Sequence, residues 1–158
     1  TLHSPALLFL DEPTSAVDPE NRREFWEKLF DLSDAGTTVL VSTHYMDEAE
    51  RCHQLAILET GHLRTHGTPA ALMAELDTRV VEISGNNLRQ VKERALQLPQ
   101  VQSAAQQGLQ LRILLRSASP DPAQQLGAKL GDNTLTIKTA RPSLEDVFVA
   151  STHGEINA

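Results

Sequence analysis

The run Ala6-Leu7-Leu8-Phe9-Leu10-Asp11-Glu12-Pro13 constrains the fold more than any other part of the chain. A continuous apolar run of this length suits a strand buried on both faces, as in a parallel sheet with crossover helices. Two adjacent acids end the run. In open α/β sheets the C-terminal ends of the strands are where ligands bind. Carboxylates placed there cost desolvation free energy unless something uses them. Alternation along a strand sends successive side chains in opposite directions. Asp11 can then hold a magnesium ion while Glu12 orients or deprotonates an attacking water. The plainer alternative is a strand that ends in solvated acids before a turn at Pro13.

Downstream, Pro19 to Ala35 predicts a helix whose stripe is Phe25, Trp26, Leu29, Phe30 and Leu32, with Gly36 just past its end. Asp18 before Pro19 is a good N-cap with proline at the first helical position. Thr37 to Ser42 predicts a second buried strand, followed by Thr43 and His44. If the two strands are neighbours, His44 lies at the same sheet edge as Asp11 and Glu12. An imidazole there can hydrogen-bond a phosphate oxygen or a water, although a histidine packed at a strand end is the blander reading. Tyr45 to Arg51 predicts a short acidic helix, and Leu55–Leu58 with Leu63–His66 a hairpin around Thr60-Gly61. Thr68-Pro69 opens another helix. Strand–helix–strand alternation through this region predicts a parallel sheet.

From about residue 77 the pattern changes. Strands at Arg79–Ser84, Val101–Gln106, Leu109–Arg116 and Thr134–Thr139 are interleaved with helices at Asn87–Leu98 and Pro122–Leu130. This βαββαβ order predicts a small α+β, ferredoxin-like domain. Arg141 to Thr152 predicts a terminal helix. Ser143 and Asp146 have capping-box spacing, and Leu144, Val147 and Phe148 form an apolar face that folds back onto its own domain.

Composition narrows the function classes. The 158 residues are 40% hydrophobic and 22% charged, as in a globular protein, and carry a formal net charge of −7. That balance disfavours a general affinity for nucleic acid or anionic lipid. The single cysteine, Cys52, allows no intrachain disulfide and fits a reducing compartment. A zinc site from Cys52, His53, His62 and His66 is disfavoured, because Gly61 and Gly67 point to a hairpin instead of one helix face. Thr1 ahead of a strand-like run predicts a cut inside a longer protein.

Taken jointly, the apolar stretch with Asp11-Glu12-Pro13-Thr14-Ser15, then Asp18, a helix, and a strand ending Ser42-Thr43-His44 resembles the ABC ATPase family in order and spacing. These segments correspond to its Walker B motif, D-loop and H-loop. The resemblance covers residues 1–76. It implies the C-terminal part of a P-loop NTPase (RecA-like) parallel-sheet domain, with 77–158 as an accessory domain. It implies ATP and Mg²⁺ as cofactors, with Asp11 helping to hold the metal, Glu12 polarising the water and His44 touching the γ-phosphate. It implies that Ser15 to Asp18 reach across a dimer interface to a second nucleotide-binding domain. The segments Tyr45–Cys52 and Arg141–Phe148 resemble those of drug- and antibiotic-export members, which pair with an ABC-2-type permease. The resemblance implies a place in the cytoplasm, peripheral on the inner face of the plasma membrane. Two other readings remain: a soluble ABC ATPase acting on ribosomes or DNA, and a non-catalytic remnant or regulatory module. The net negative charge and the Leu-Glu-Asp-Val-Phe tail count against the first.

The 158 residues hold no Gly-x-x-x-x-Gly-Lys-Ser/Thr loop, no Leu-Ser-Gly-Gly-Gln signature and no identifiable Q-loop. Without the loop there are no converging backbone N–H groups and no lysine to cradle the phosphates. The purified chain is therefore expected to release no phosphate from Mg-ATP above background; robust turnover would refute this.

Overall fold

The computed structural model describes residues 5–152 and divides into two compact units, Thr1–Ala49 and Glu50–Ala158. In the first, β1 (Leu7–Asp11) and β2 (Thr38–Ser42) pair in parallel, with Leu7 opposite Thr38 and Asp11 opposite Ser42. A parallel pair needs a crossover, and α1 (Pro19–Asp34) supplies it. Asp18 starts α1 by accepting hydrogen bonds from the amides of Glu20 at 3.2 Å and Asn21 at 3.1 Å, with Pro19 in the first turn. Trp26 and Leu29 are the buried residues of α1, which packs against β2. A short helix, α2 (Met46–Ala49), closes the unit.

The expectation of strands covered on both faces is not met. Leu7, Phe9 and Leu40 are exposed, Phe9 to 66%, while the alternate residues Leu8, Leu10, Val39 and Val41 are half-buried. The physical reason is that the two-stranded sheet has one crossover helix to cover it, so the period-two alternation of a strand divides a uniformly apolar sequence into a sheltered and an open side.

The second unit begins with the antiparallel hairpin β3 (Leu55–Glu59) and β4 (His62–Gly67). Its two-residue turn, Thr60 at φ +48° and Gly61 at φ +78°, has the pair of positive φ angles that suits the right-handed strand twist. Helix α3 (Pro69–Ala74) follows, capped by Thr68, whose hydroxyl accepts from the Ala71 amide at 3.1 Å. The elements β5 (Val80–Ser84), α4 (Leu88–Leu96), β6 (Val101–Gln107), β7 (Gln110–Leu115), α5 (Pro122–Leu130) and β8 (Thr136–Thr139) then appear in βαββαβ order. Their strands form one antiparallel sheet ordered β6-β7-β5-β8. Val81 and Ile83 of β5 and Leu111 and Ile113 of β7 form one core with Leu88, Val91 and Ala95 of α4 and Leu126 and Leu130 of α5.

The neighbouring residues of β5 and β7 face the other way, and there α6 (Leu144–Thr152) is anchored. Arg112 of β7 donates from Nε to Asp146 Oδ1 at 3.0 Å and from a terminal nitrogen to Asp146 Oδ2 at 2.7 Å. It also reaches Glu82 Oε1 of β5 at 2.6 Å and the Arg141 carbonyl at 2.6 Å. Asp146 accepts from the Ser143 amide at 2.7 Å while its own amide donates to Ser143 Oγ at 3.4 Å, so the expected capping box is present. Helix α6 also packs against α3 and against β3 and β4. This explains why the compact units part after Ala49, whereas the sequence pattern changes near residue 77: the hairpin and α3 are tied to the later sheet through α6. Among the described residues no helix is long and apolar enough to cross a membrane.

Burial by itself would raise the Asp146 pKa, but the Arg112 and Ser143 hydrogen bonds and the Arg112 charge outweigh it and hold the carboxyl below its usual range. A depressed folded-state pKa contributes stability that is present above the unfolded value, about 3.9, and is lost as pH falls through the folded value. Asp146→Ala removes the bidentate partner of the buried Arg112 and leaves it only Glu82 and the Arg141 carbonyl, a change that costs about 3 kcal/mol. Urea unfolding should show that loss at pH 7, and the gap between wild type and variant should narrow below about pH 4.

Candidate active site

The parallel register brings the C-terminal ends of β1 and β2 together, so Asp11 lies opposite Ser42 and the segments carrying Glu12 and His44 leave the sheet at one edge. The Ser42 hydroxyl donates to Asp11 Oδ1. Glu12 leaves the strand at once. Its amide donates to the Ser42 carbonyl at 3.0 Å and lies 3.2 Å from Ser42 Oγ, and its φ is +41°. The expected opposite orientation of Asp11 and Glu12 by simple pleating is thus replaced by a left-handed turn, stabilised where the Ser15 amide donates to the Glu12 carbonyl at 3.2 Å. From this turn Glu12 Oε1 lies 3.1 Å from His44 Nδ1, with both side chains about half exposed. The His44 ring lies against that of Tyr45, 4.2 Å between centroids with the planes tilted by 34°.

Asp11, Glu12, Ser42 and His44 are therefore brought together. Ser15 is exposed in the turn beyond them. Asp18 is not part of this cluster: its carboxylate is committed to the start of α1, where Oδ2 also accepts from Asn21 Nδ2 at 2.6 Å. The Asn21 side-chain and backbone hydrogen bonds hold the Asp18 carboxyl below its usual range.

Asp11 fits a magnesium ion in its donor chemistry. It is exposed, one oxygen is engaged by a neutral hydroxyl, and Mg²⁺ typically takes one or two protein carboxylates and fills its shell with water and phosphate oxygens. No group of three or more His, Cys, Asp or Glu side chains is placed to hold a metal among the described residues.

The sequence did not single out Glu48. It is 1% exposed and sits behind the site on α2. It accepts from Thr14 Oγ1 at 2.5 Å and from Thr43 Oγ1 at 2.8 Å. Arg22 Nε lies 3.6 Å from it, and the Arg22 guanidinium stacks 4.3 Å over the Tyr45 ring. Burial alone would raise its pKa, yet hydrogen bonds from Thr14 and Thr43 and the Arg22 charge hold it below the usual glutamate range. Asp47 and Glu50 beside it are exposed, so nothing in the sequence marks the one acid of this stretch that turns inward.

The φ of Glu12 is an observed departure of the kind that clusters at functional sites and costs of order 1 kcal/mol in a non-glycine residue. Glu12→Gly and Glu12→Ala both remove the carboxylate, but only glycine occupies this torsion without a steric penalty. The glycine variant should be the more stable of the two by about 1 kcal/mol in urea unfolding.

No protein-family model matches the chain. Curated relatives do. Over 150 residues the chain is 36% identical to the probable multidrug ABC transporter ATP-binding protein YbhF of Escherichia coli K12, a match covering 92% of this chain and 25% of that protein. Over 158 residues it is 37% identical to the Nod factor export ATP-binding protein I of Rhizobium sp. N33, covering 98% of this chain and 50% of the relative. The protein of the same name from Cupriavidus metallidurans is 34% identical over 157 residues, again with 98% and 50% covered. The chain spans a quarter to a half of the length of these relatives. Identity sustained over almost all of its residues makes the chain a member of the ABC transporter ATP-binding protein family.

Proposed function

We propose that this chain supplies the hydrolytic edge of an ATP-binding subunit that energises export. The observation that carries the reading is the Glu12–His44 pair at the C-terminal edge of two parallel strands, 3.1 Å apart, with Asp11 and Ser42 beside it. Glu12 accepts the proton of, or orients, the water that attacks the γ-phosphate. His44, held by Glu12 and by its contact with the Tyr45 ring, presents its other ring nitrogen to a phosphate oxygen. Asp11, steadied by the Ser42 hydroxyl, would hold Mg²⁺. When bound, the ion neutralises charge on the β- and γ-phosphates. Ser15 through Asp18, of which Ser15, Ala16 and Asp18 are exposed beyond the site, would reach a second nucleotide-binding domain.

The relatives' names, multidrug ABC transporter ATP-binding protein and Nod factor export ATP-binding protein, support an export role; the resemblance of Tyr45–Cys52 and Arg141–Phe148 to drug-export members supports a transmembrane partner of the ABC-2 permease type. Such a subunit works in the cytoplasm, against the inner face of the membrane. Residues 1–76 belong functionally to the nucleotide-binding domain and 77–158 to an accessory ferredoxin-like domain; the βαββαβ element order and the β6-β7-β5-β8 sheet support this division. Alone, the chain lacks the phosphate loop that would grip ATP.

In a subunit that joins this chain to a phosphate loop, Glu12→Gln is expected to lower the hydrolysis rate about a hundredfold or more. ATP affinity, measured by equilibrium binding, should stay within about twofold of wild type, because the change removes a base and not a phosphate contact. Unchanged turnover would take Glu12 out of this role.

A further inference from the structure

The β1–β2 ladder ends at Asp11 and Ser42, and the Glu12 amide makes the last backbone hydrogen bond across the pair, to the Ser42 carbonyl. Beyond that point two chain segments project from the sheet, one carrying Glu12 and the other His44. An exposed pair such as Glu12–His44 stabilises its own geometry by only about 0–1 kcal/mol and cannot hold the segments by itself. A buried side chain does bridge them. One oxygen of Glu48 accepts from Thr14, two residues after Glu12, and the other accepts from Thr43, immediately before His44. Thr43 Oγ1 in turn accepts from the Tyr45 amide at 3.1 Å, which fixes the turn around His44. We infer that Glu48 is a positioning residue: its carboxylate clamps Thr14 to Thr43 and so holds Glu12 and His44 in register. The clamp stands on geometry alone; its effect on hydrolysis rests on the reading proposed above.

Two substitutions separate reach from charge. Glu48→Asp keeps the charge near Arg22 but is one methylene too short to bridge both hydroxyls. Glu48→Gln keeps the reach and loses the charge. Thr14→Val cuts one arm and leaves Glu48 and Arg22 intact, so it decides the matter if Glu48→Asp does not fold. The readout is the ¹⁵N signal of the His44 ring in the 158-residue chain, with Glu12→Ala as the reference for a broken pair. Glu48→Asp and Thr14→Val should move the His44 signal to the Glu12→Ala position, and Glu48→Gln should move it less. The inference is overturned if folded Glu48→Asp and Thr14→Val chains keep the wild-type signal. It is also overturned if Glu48→Gln moves the signal and Glu48→Asp does not, since Glu48 would then be only a counter-charge for Arg22.

A second arm uses the subunit that carries a phosphate loop. There Glu48→Asp should lower kcat about tenfold to a hundredfold, with KM for ATP within about twofold, as expected for misplaced catalytic groups. Glu48→Gln should lower kcat less. A moved His44 signal with unchanged kcat sustains the clamp and removes the hydrolytic role of the pair. A Glu12→Gln subunit that loses turnover while His44 ignores Glu48 does the reverse.

Discussion

The parallel pairing of β1 with β2 is the constraint on which the first unit depends. Because the strands run in the same direction, their C-terminal ends coincide, and a one-residue slip would take Asp11 away from Ser42 and turn its side chain to the other face. The crossover helix sets which strands can pair, and its first turn is fixed by Asp18 and Pro19. The residues that shape the site thus include a cap that never touches it. In this unit the sequence of causes runs from a helix start, through a strand register, to a side-chain juxtaposition.

The second unit depends on a different kind of contact. Its largest apolar cluster is made where α4 and α5 meet one face of the four-stranded sheet, and Val80, Leu114, Leu144 and Val147 are buried outside it. The opposite face is held to α6 by Arg112, which binds Asp146, Glu82 and the Arg141 carbonyl together. Charge-assisted, bidentate bonds of this kind fix orientation as well as contribute energy. They explain why a short helix, with Leu144 and Val147 buried and Phe148 partly exposed, keeps one defined seat against the sheet, the hairpin and α3.

Much of this was legible in the sequence. The order of every element, the caps at Asp18, Thr68 and Ser143, and the hairpin turn at Thr60-Gly61 follow from local rules that act over a few residues. The convergence of Glu12 and His44 was legible only as a conditional, since it needs two strands to be neighbours. Two features escaped because they depend on long-range placement. The open side of β1 and β2 could not be read from an apolar run that looks the same whether one or both faces are covered. Glu48 could not be distinguished from Asp47 and Glu50, because only the arrival of Thr14 and Arg22 from elsewhere makes one acid of the three an interior group.

The torsion at Glu12 carries a wider implication. A backbone conformation that glycine or asparagine occupies at lower cost is filled here by a glutamate, directly after a strand whose residues obey their local preferences. Local preference and side-chain chemistry disagree at this single position while agreeing around it. That is local frustration at the end of β1. Substituting glycine there would relieve the torsion and remove the carboxylate in one step, so at position 12 stability and chemistry pull in opposite directions.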